Sequence, residues 1–307
     1  MRNSLIVFIH ALIITPVLIG SYKSSWWALD LFSNFINFYI YLVALLILLS
    51  LIIKNIYLIF INCILLLVLS INFTYIEADT DLSNYSTPRT VRIFSLNVNM
   101  DNADYSIVEN AVIHYKPDIL VLLEYNKAWH YGLQRITSSY AYHHSIIRDD
   151  YFGIAIYSKY EIKEPLTEYH AGIDIPSVTA QILADKKIFK LRAVHLDWPI
   201  FKKNAEKRNS QLLKLAKSIS EDKVASITIG DFNLTPWSYY FSKFLQQSKT
   251  KSCTGTSLKG TWPGLSRYIA IPIDHCFFSN KVRIKNFNTP DNTSSDHFPI
   301  IVDFIIE

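Results

Sequence analysis

Residues 225–234 read ASITIGDFNL. The opening ASITI is a strand-like run of β-branched and small residues, and it stops at Gly230, Asp231 and Asn233. A buried strand that ends in a carboxylate and an amide forms a rigid base with chemistry at its rim. The same pattern recurs on both sides of this stretch. Strand-like runs are VRIFSLNV (91–98), DILVLLE (118–124), GIAIYS (153–158), VTAQIL (178–183), FKLRAVHL (189–196), DHCFFS (274–279) and PIIVDFII (299–306). Asn97 ends the first, Glu124 the second, and His195 stands at the end of the fifth. Asp274 and His275 follow Pro272, and Asp296 and His297 precede the last run. Helical periodicity is found at Ala103–Tyr115 and at Ala205–Ser220, where Leu212, Leu213, Leu215, Ala216 and Ile219 form the apolar side. Strands in pairs with occasional helices predict an α/β sandwich rather than a strictly alternating parallel sheet.

Composition divides the chain in two. It has 307 residues, 50% hydrophobic and 18% charged, with formal net charge +4. Only Arg2, Lys23, Asp30 and Lys54 are charged among residues 1–73, and the other 52 charged residues lie beyond. The first part is thus roughly 5% charged and the rest roughly 22%, near the ~25% of an ordinary domain. A disordered chain is excluded by the abundant aliphatic and aromatic residues. Three cysteines exclude a disulfide scaffold.

Apolar runs at about 4–20, 35–53 and 56–73 have the length and hydropathy expected of three transmembrane helices, the first alternatively a signal peptide. Residues 1–76 are therefore expected to be a membrane anchor in contact with the bilayer, 77–90 a polar linker and 91–307 a catalytic domain. The Lys and Arg placement predicts a multi-pass protein of the cytoplasmic membrane with its catalytic domain extracytoplasmic. From Arg89 onward, 27 basic residues stand against 22 acidic ones, a net of +5.

The ordered elements LNVN, LLE, HL, GDFN, IDH and SDH resemble the endonuclease/exonuclease/phosphatase superfamily, over about residues 90–307. YFGIAIYSKYEI (151–162) is similar to a strand and turn of that family, with Lys159 for Arg and Glu161 for Pro. WALDLF (27–32) is similar to an element of a membrane-anchored bacterial branch. The resemblance implies a four-layer α/β sandwich, two mixed β-sheets flanked by helices, here preceded by the three helices. It also implies a metal-dependent phosphoesterase.

Phosphoester hydrolysis needs a metal, an activated water and neutralisation of phosphoryl charge. Glu124 offers a hard oxygen suited to Mg²⁺, with Mn²⁺ a substitute. The resemblance makes it the principal ligand, assisted by Asn97, with Asp296 in a second metal or water contact. It assigns Asp231 to the nucleophilic water. Asn233, two residues on, is placed to hydrogen-bond a phosphate oxygen. His297 and Asp274 are expected to form a dyad in which Asp sets the imidazole tautomer. His195 resembles the histidine that stabilises phosphoryl charge or protonates the leaving group.

Weaker features stay open. His143, His144 and His170 are expected at the surface, and His275 is expected to be structural because it faces the other side of its strand. Lys202, Lys203, Lys207 and Arg208 fit either an anion-receiving patch or a solvated helix start. Trp198, Trp237 and Trp262 fit a pocket rim, a bilayer contact or plain packing. Cys253 and Cys276 could pair in an oxidising compartment. The leading expectation is a membrane-anchored, Mg²⁺-dependent phosphoesterase acting on a phosphate ester or pyrophosphate, lipid-linked because of the tether. A nuclease is the alternative, and a non-catalytic binding protein on the same fold comes third. No protein partner is expected.

Overall fold

The computed structural model describes residues 2–71, 90–253, 259–291 and 294–307. Twelve strands in these segments form two six-stranded mixed sheets. The strands are β1 (Val91–Asn97), β2 (Ile119–Leu123), β3 (Tyr142–Ile146), β4 (Ile154–Ser158), β5 (Glu161–Tyr169), β6 (Pro176–Ala184), β7 (Lys187–His195), β8 (Ala225–Asp231), β9 (Lys251–Ser252), β10 (Asp274–Phe278), β11 (Val282–Asn288) and β12 (Ile300–Ile306). One sheet has the order β11-β12-β1-β2-β4-β3, and the other β5-β6-β7-β8-β10-β9. Each has one parallel pair at its centre, β1 with β2 and β7 with β8. Helices α1 (Arg2–Ser21), α2 (Trp27–Ser33), α3 (Ile36–Ile52) and α4 (Ile56–Ile71) precede the sheets. Helices α5 (Tyr105–Tyr115), α6 (Lys127–Gly132), α7 (Gln134–Thr137), α8 (Lys202–Ser220) and α9 (Tyr239–Ser248) lie between strands.

Strand parity builds the four layers. Residues two apart share a face. Val91 and Ile93 of β1, Val121 of β2, Leu191 of β7, Ile227 and Ile229 of β8, and Cys276 of β10 all face inward and fill the space between the sheets. Phe94 and Leu96 of β1 face the other way and pack with Val108 of α5 and Trp129 of α6. Val194 and Phe277 cover the outer face of the second sheet with Leu212 and Leu215 of α8 and Phe241 of α9. The result is the expected helix–sheet–sheet–helix sandwich. The disulfide Cys253–Cys276, with Cα atoms 5.2 Å apart, ties the segment after β9 to β10.

The expectation of three membrane spans and a multi-pass membrane protein is corrected. Among the described residues, no single helix is long and apolar enough to cross a membrane. Helix α3 has 17 residues, about 26 Å at 1.5 Å per residue, short of a ~30 Å hydrocarbon core. It reaches the necessary length only together with α2, from which it is bent by 63°. The described apolar parts of α1 and α4 are Phe8–Gly20 and Ile56–Ser70, shorter still. The run at 35–53 forms a helix over Ile36–Ile52 only, so the apolar length counted in sequence exceeds the helical length. Helices α3 and α4 expose Leu45, Leu48, Ile52, Tyr57 and Phe60. Asp30, Asn34, Ser50 and Asn62 are buried polar residues in the same part of the chain. The expected linker at 77–90 and the end of the run at 56–73 lie outside the described residues, save Thr90 and the start of that run.

Candidate active site

Parity that fills the core also aims the site. His195, Asp231 and Asp274 are the inward-facing residues at the ends of three neighbouring strands. His195 is the register partner of Asp231 in the parallel β7–β8 pair, and Asp274 its partner in the antiparallel β8–β10 pair. In the facing sheet, Asn97 ends β1 opposite Leu123, and Glu124 follows at once. Both sheets thus end in polar groups at one mouth of the inter-sheet layer.

The side chains meet there. Asn97 Nδ2 donates to Glu124 Oε1 at 2.9 Å and lies 3.4 Å from Asp231 Oδ2. His195 Nε2 is 3.5 Å from Asp231 Oδ2, and His297 Nε2 is 3.7 Å from the same oxygen. The other ring nitrogen of His297, Nδ1, donates to Asp274 Oδ2 at 2.8 Å. Asp231 Oδ1 accepts from the Asn233 amide at 2.8 Å, an Asx-type turn, and Asn233 Nδ2 donates to Leu196 O at 2.9 Å. Asp296 is at the rim, where its Oδ2 accepts from Trp262 Nε1 at 3.1 Å.

The backbone here is held in uncommon conformations. Asn99, Glu124 and Asn233 have φ of 59°, 57° and 48°, the left-handed region that non-glycine residues enter at a cost. Gly230 has φ 142°, and a Cβ at that position would lie 2.0 Å from Val194 O. The glycine before Asp231 is therefore required by close approach to β7.

Burial and charge set the protonation states. Asp231 is pushed up to about 6, first by burial and then by the charge of Asp274, against the pull of His297 and His195. His297 is buried, which disfavours its charge, but Asp274, Asp231 and Asp296 outweigh that and push it up to about 10. It is an imidazolium near neutral pH. Burial holds His195 below its usual range, although the Asp231 charge opposes this. Burial raises Glu124, while the hydrogen bonds from Asn97 and the Met100 amide and the charge of His297 lower it.

Glu124, Asn97 and Asp296 form an all-oxygen donor set, of the kind that suits a hard divalent cation. Glu124 Oε1 and Oε2 each accept one hydrogen bond, from Asn97 and from Met100 N at 3.0 Å, which orients the carboxylate and leaves lone pairs over. Asp231, Asp274 and His297 also bring ligand-type atoms within 4.8 Å of one another. That group is less suited to a metal, because a protonated imidazole has no lone pair to give.

Other expectations fare variously. His275 is fully buried on the outer face of its strand. His170 is buried too, against the expectation of a surface position. His143 stacks on Tyr157, and His144 meets Thr167 Oγ1 at 3.1 Å. Arg208 is neither an anion receiver nor a solvated helix start: it is 1% exposed and paired with Asp30. Trp237 is plain packing, buried with Val17, Ile36 and Tyr39, whereas Trp198 and Trp262 stay exposed. Ser295 joins the site although its sequence context does not by itself mark it as a functional residue. Its Oγ donates to Asn97 O at 2.7 Å and accepts from His297 N at 3.0 Å, linking two site residues. Its place in SDH was the available signal.

No curated protein matches the chain. Solved structures do share its fold. D. rerio TDP2 complexed with single strand DNA product superposes with a TM-score of 0.60 at 18% identity, covering 71% of this chain and 100% of that one. The human nocturnin catalytic domain gives 0.58 at 15% identity, covering 73% and 97%. An endonuclease/exonuclease/phosphatase from Bacteroides vulgatus gives 0.57 at 19% identity, covering 72% and 100%. At these identities the likeness is one of fold. The sequence profile of the Endonuclease/Exonuclease/phosphatase family matches residues 94–297, from Phe94 in β1 to His297 beside Asp231, and on that match, which takes in well over half of the chain, the protein belongs to this family of hydrolases.

Proposed function

We propose that the protein is a Mg²⁺-dependent phosphoesterase in which Asp231 activates the attacking water. The observation that carries this reading is the convergence on Asp231 Oδ2 of Asn97 at 3.4 Å, His195 at 3.5 Å and His297 at 3.7 Å. Asp231 is the general base, buried and deprotonated above about pH 6. Asp274 fixes the His297 tautomer, so that Nε2–H is turned toward Asp231 and the space before it, where it neutralises a phosphoryl oxygen. His195 serves the leaving group from the other side of Asp231. Asn233, its amide oriented by Leu196 O, donates to a phosphate oxygen. Glu124, Asn97 and Asp296 would hold the cation, with Mn²⁺ as a substitute. When bound, a divalent ion supplies Lewis-acid neutralisation of phosphoryl charge.

A lipid-linked phosphate was expected because of a bilayer tether, and with no single described helix long and apolar enough to cross a membrane that reading has no support of its own. A nucleic-acid phosphodiester is the second reading. It is favoured by the modest net charge of +5 from Arg89 onward and by the fold likeness to D. rerio TDP2, whose structure holds single strand DNA product.

The test is turnover by the purified full chain of single-stranded DNA, RNA, inositol phosphates and bis(p-nitrophenyl) phosphate, each with and without Mg²⁺. Metal-dependent hydrolysis that is lost in Glu124→Ala, together with Mg²⁺ or Mn²⁺ binding by calorimetry that is lost in the same variant, is the expected result. Hydrolysis undiminished in Glu124→Ala would overturn the proposal.

A further inference from the structure

The loop that follows Asp231 is held by residues from the far N-terminal part of the chain. Asp30 of α2 and Asn34, the residue that caps its C-terminus in helical conformation, lie four residues apart and so on one face. Both are buried. Asp30 Oδ1 accepts from Ser238 Oγ at 2.6 Å and from the Tyr239 amide at 2.9 Å. Asp30 Oδ2 accepts from Arg208 Nη2 at 3.1 Å. Arg208 in turn donates Nη1 to the backbone oxygen of Asn233 at 2.7 Å. Asn34 Oδ1 accepts from both the amide and the hydroxyl of Thr235, at 3.1 and 2.8 Å. Four polar groups between Thr235 and Tyr239 are thus satisfied by two residues that lie some two hundred positions earlier, and a fifth, Asn233 O, by the Arg208 that pairs with one of them. Trp237, in the same loop, inserts among Val17, Ile36, Tyr39 and Val43.

These contacts act on the site residues directly. Asn233 holds a left-handed backbone, φ 48°, and its amide fixes Asp231 Oδ1. Anchoring its carbonyl through Arg208 restrains the turn from the other side. A buried guanidinium would not stay in this place without a carboxylate partner, and Asp30 is that partner.

We propose that α2 is a working part of the catalytic centre: Asp30 and Asn34 are positioning residues that set the Asp231–Asn233 turn, through Arg208 and Thr235. The unit that performs the chemistry therefore includes α2 as well as the sandwich. This inference rests on the proposed roles of Asp231 and Asn233.

The test uses the full chain with bis(p-nitrophenyl) phosphate and Mg²⁺. Asp30→Asn should lower kcat about tenfold to a hundredfold with KM within about twofold, because misplacement by an ångström costs that much in an oriented site. In the double variant Asp30→Asn/Arg208→Met no buried charge is left unpaired, so Tm should return toward the parent value while kcat stays low. A kcat that recovers along with Tm would make the pair merely structural and overturn the proposal. So would a folded Asp30→Asn protein with the parent's kcat. Thr235→Val keeps shape and loses the hydroxyl, and it should lower kcat; Thr235→Ser should restore most of that loss. Equal kcat in the two Thr235 variants counts against the proposal, and this pair decides even where Asp30→Asn fails to fold. Hydrogen exchange provides a readout without turnover. The Asn233 and Thr235 amides should exchange faster in Asp30→Asn than in the parent, and unchanged rates would overturn the relay. Were the parent chain to hydrolyse none of the phosphoesters, the proposed function would fail while the exchange measurement still decided the relay.

Discussion

Asp274 Oδ2 and His297 Nδ1 lie 2.8 Å apart, both buried, one at the start of β10 and the other just ahead of β12. The carboxylate does two things at once. It keeps a proton on Nδ1, and it makes the imidazolium stable in a buried place. Asp274→Asn preserves shape but removes the charge, so Nε2 loses its defined protonation. We expect kcat to fall by about 10³- to 10⁴-fold, by analogy with orienting carboxylates elsewhere. Asp274→Asn/His297→Ala should be little worse than His297→Ala alone, since the two act as a unit. Steady-state kinetics on the four proteins measures this. Losses that multiply would show that the residues act separately.

Gly230 gives a prediction about the backbone. At φ 142°, with Val194 O 2.0 Å from where a Cβ would stand, Gly230→Ala must displace β8 from β7. The cost is of order 1–3 kcal/mol for the strained conformation, with the steric clash in addition. Because Asp231 follows immediately, kcat should fall as well. Urea denaturation alongside kinetics reads both, and a stable, fully active Gly230→Ala would refute the close-approach argument.

Asp222 receives two cations from β7. Lys190 Nζ reaches Oδ1 at 2.6 Å, Arg192 Nη2 reaches Oδ1 at 2.9 Å, and Arg192 Nη1 pairs with Oδ2. Arg192 and Asp222 are nearly inaccessible, at 2% and 4% side-chain exposure. Asp222→Ala leaves a buried guanidinium unpaired, which costs about 3–5 kcal/mol. The urea midpoint should drop with an unchanged m-value, and the kcat of the folded protein should hold, since the pair is remote from Asp231.

The residues explain how much of this was legible in sequence. Eight strand-like runs correspond to β1, β2, β4, β6, β7, β8, β10 and β12, because strands buried on both faces read as continuous apolar stretches. The missed strands include β5, EIKEPLTEY, which is mostly exposed at a sheet edge, and β11, VRIKNFN, at another. Edge strands carry charges to discourage further pairing, and that erases the apolar signal. The clustering of Asn97, Glu124, His195, Asp231, Asp274 and His297 was legible because strand ends place them. What was not legible is the docking of α2. Its Asp30 reads as a lone charge beside two tryptophans, and its partners Arg208 and Ser238 are 178 and 208 residues away. No local pattern encodes such a pairing. Apolar length likewise said nothing of the bend between α2 and α3.

His275 predicts a pH dependence of stability. It sits on the outer face of β10, packed against the rings of Phe241 at 5.0 Å, Phe277 at 5.6 Å and Phe232 at 5.9 Å. Its Nε2–H donates to Leu234 O at 2.7 Å. Burial pushes its pKa down from 6.5 to about 4, against the milder pull of the Leu234 carbonyl and the Asp274 charge. The imidazole therefore folds neutral. Above pH 6.5 neither state binds the proton, and the contribution is whole. As pH falls through 6.5, the unfolded chain takes up a proton that the folded chain refuses until about 4. Stability from this residue is lost across that window, at up to 1.36 kcal/mol per pH unit and about 3 kcal/mol in all. His275→Gln keeps a donor for Leu234 O but does not titrate. The variant should be less stable at pH 7, since the amide packs poorly among phenylalanines, yet its stability should decline less steeply from pH 6.5 to 4. Chemical denaturation at half-unit pH steps gives both slopes. If they coincide, His275 is not the group whose burial sets the acid limb.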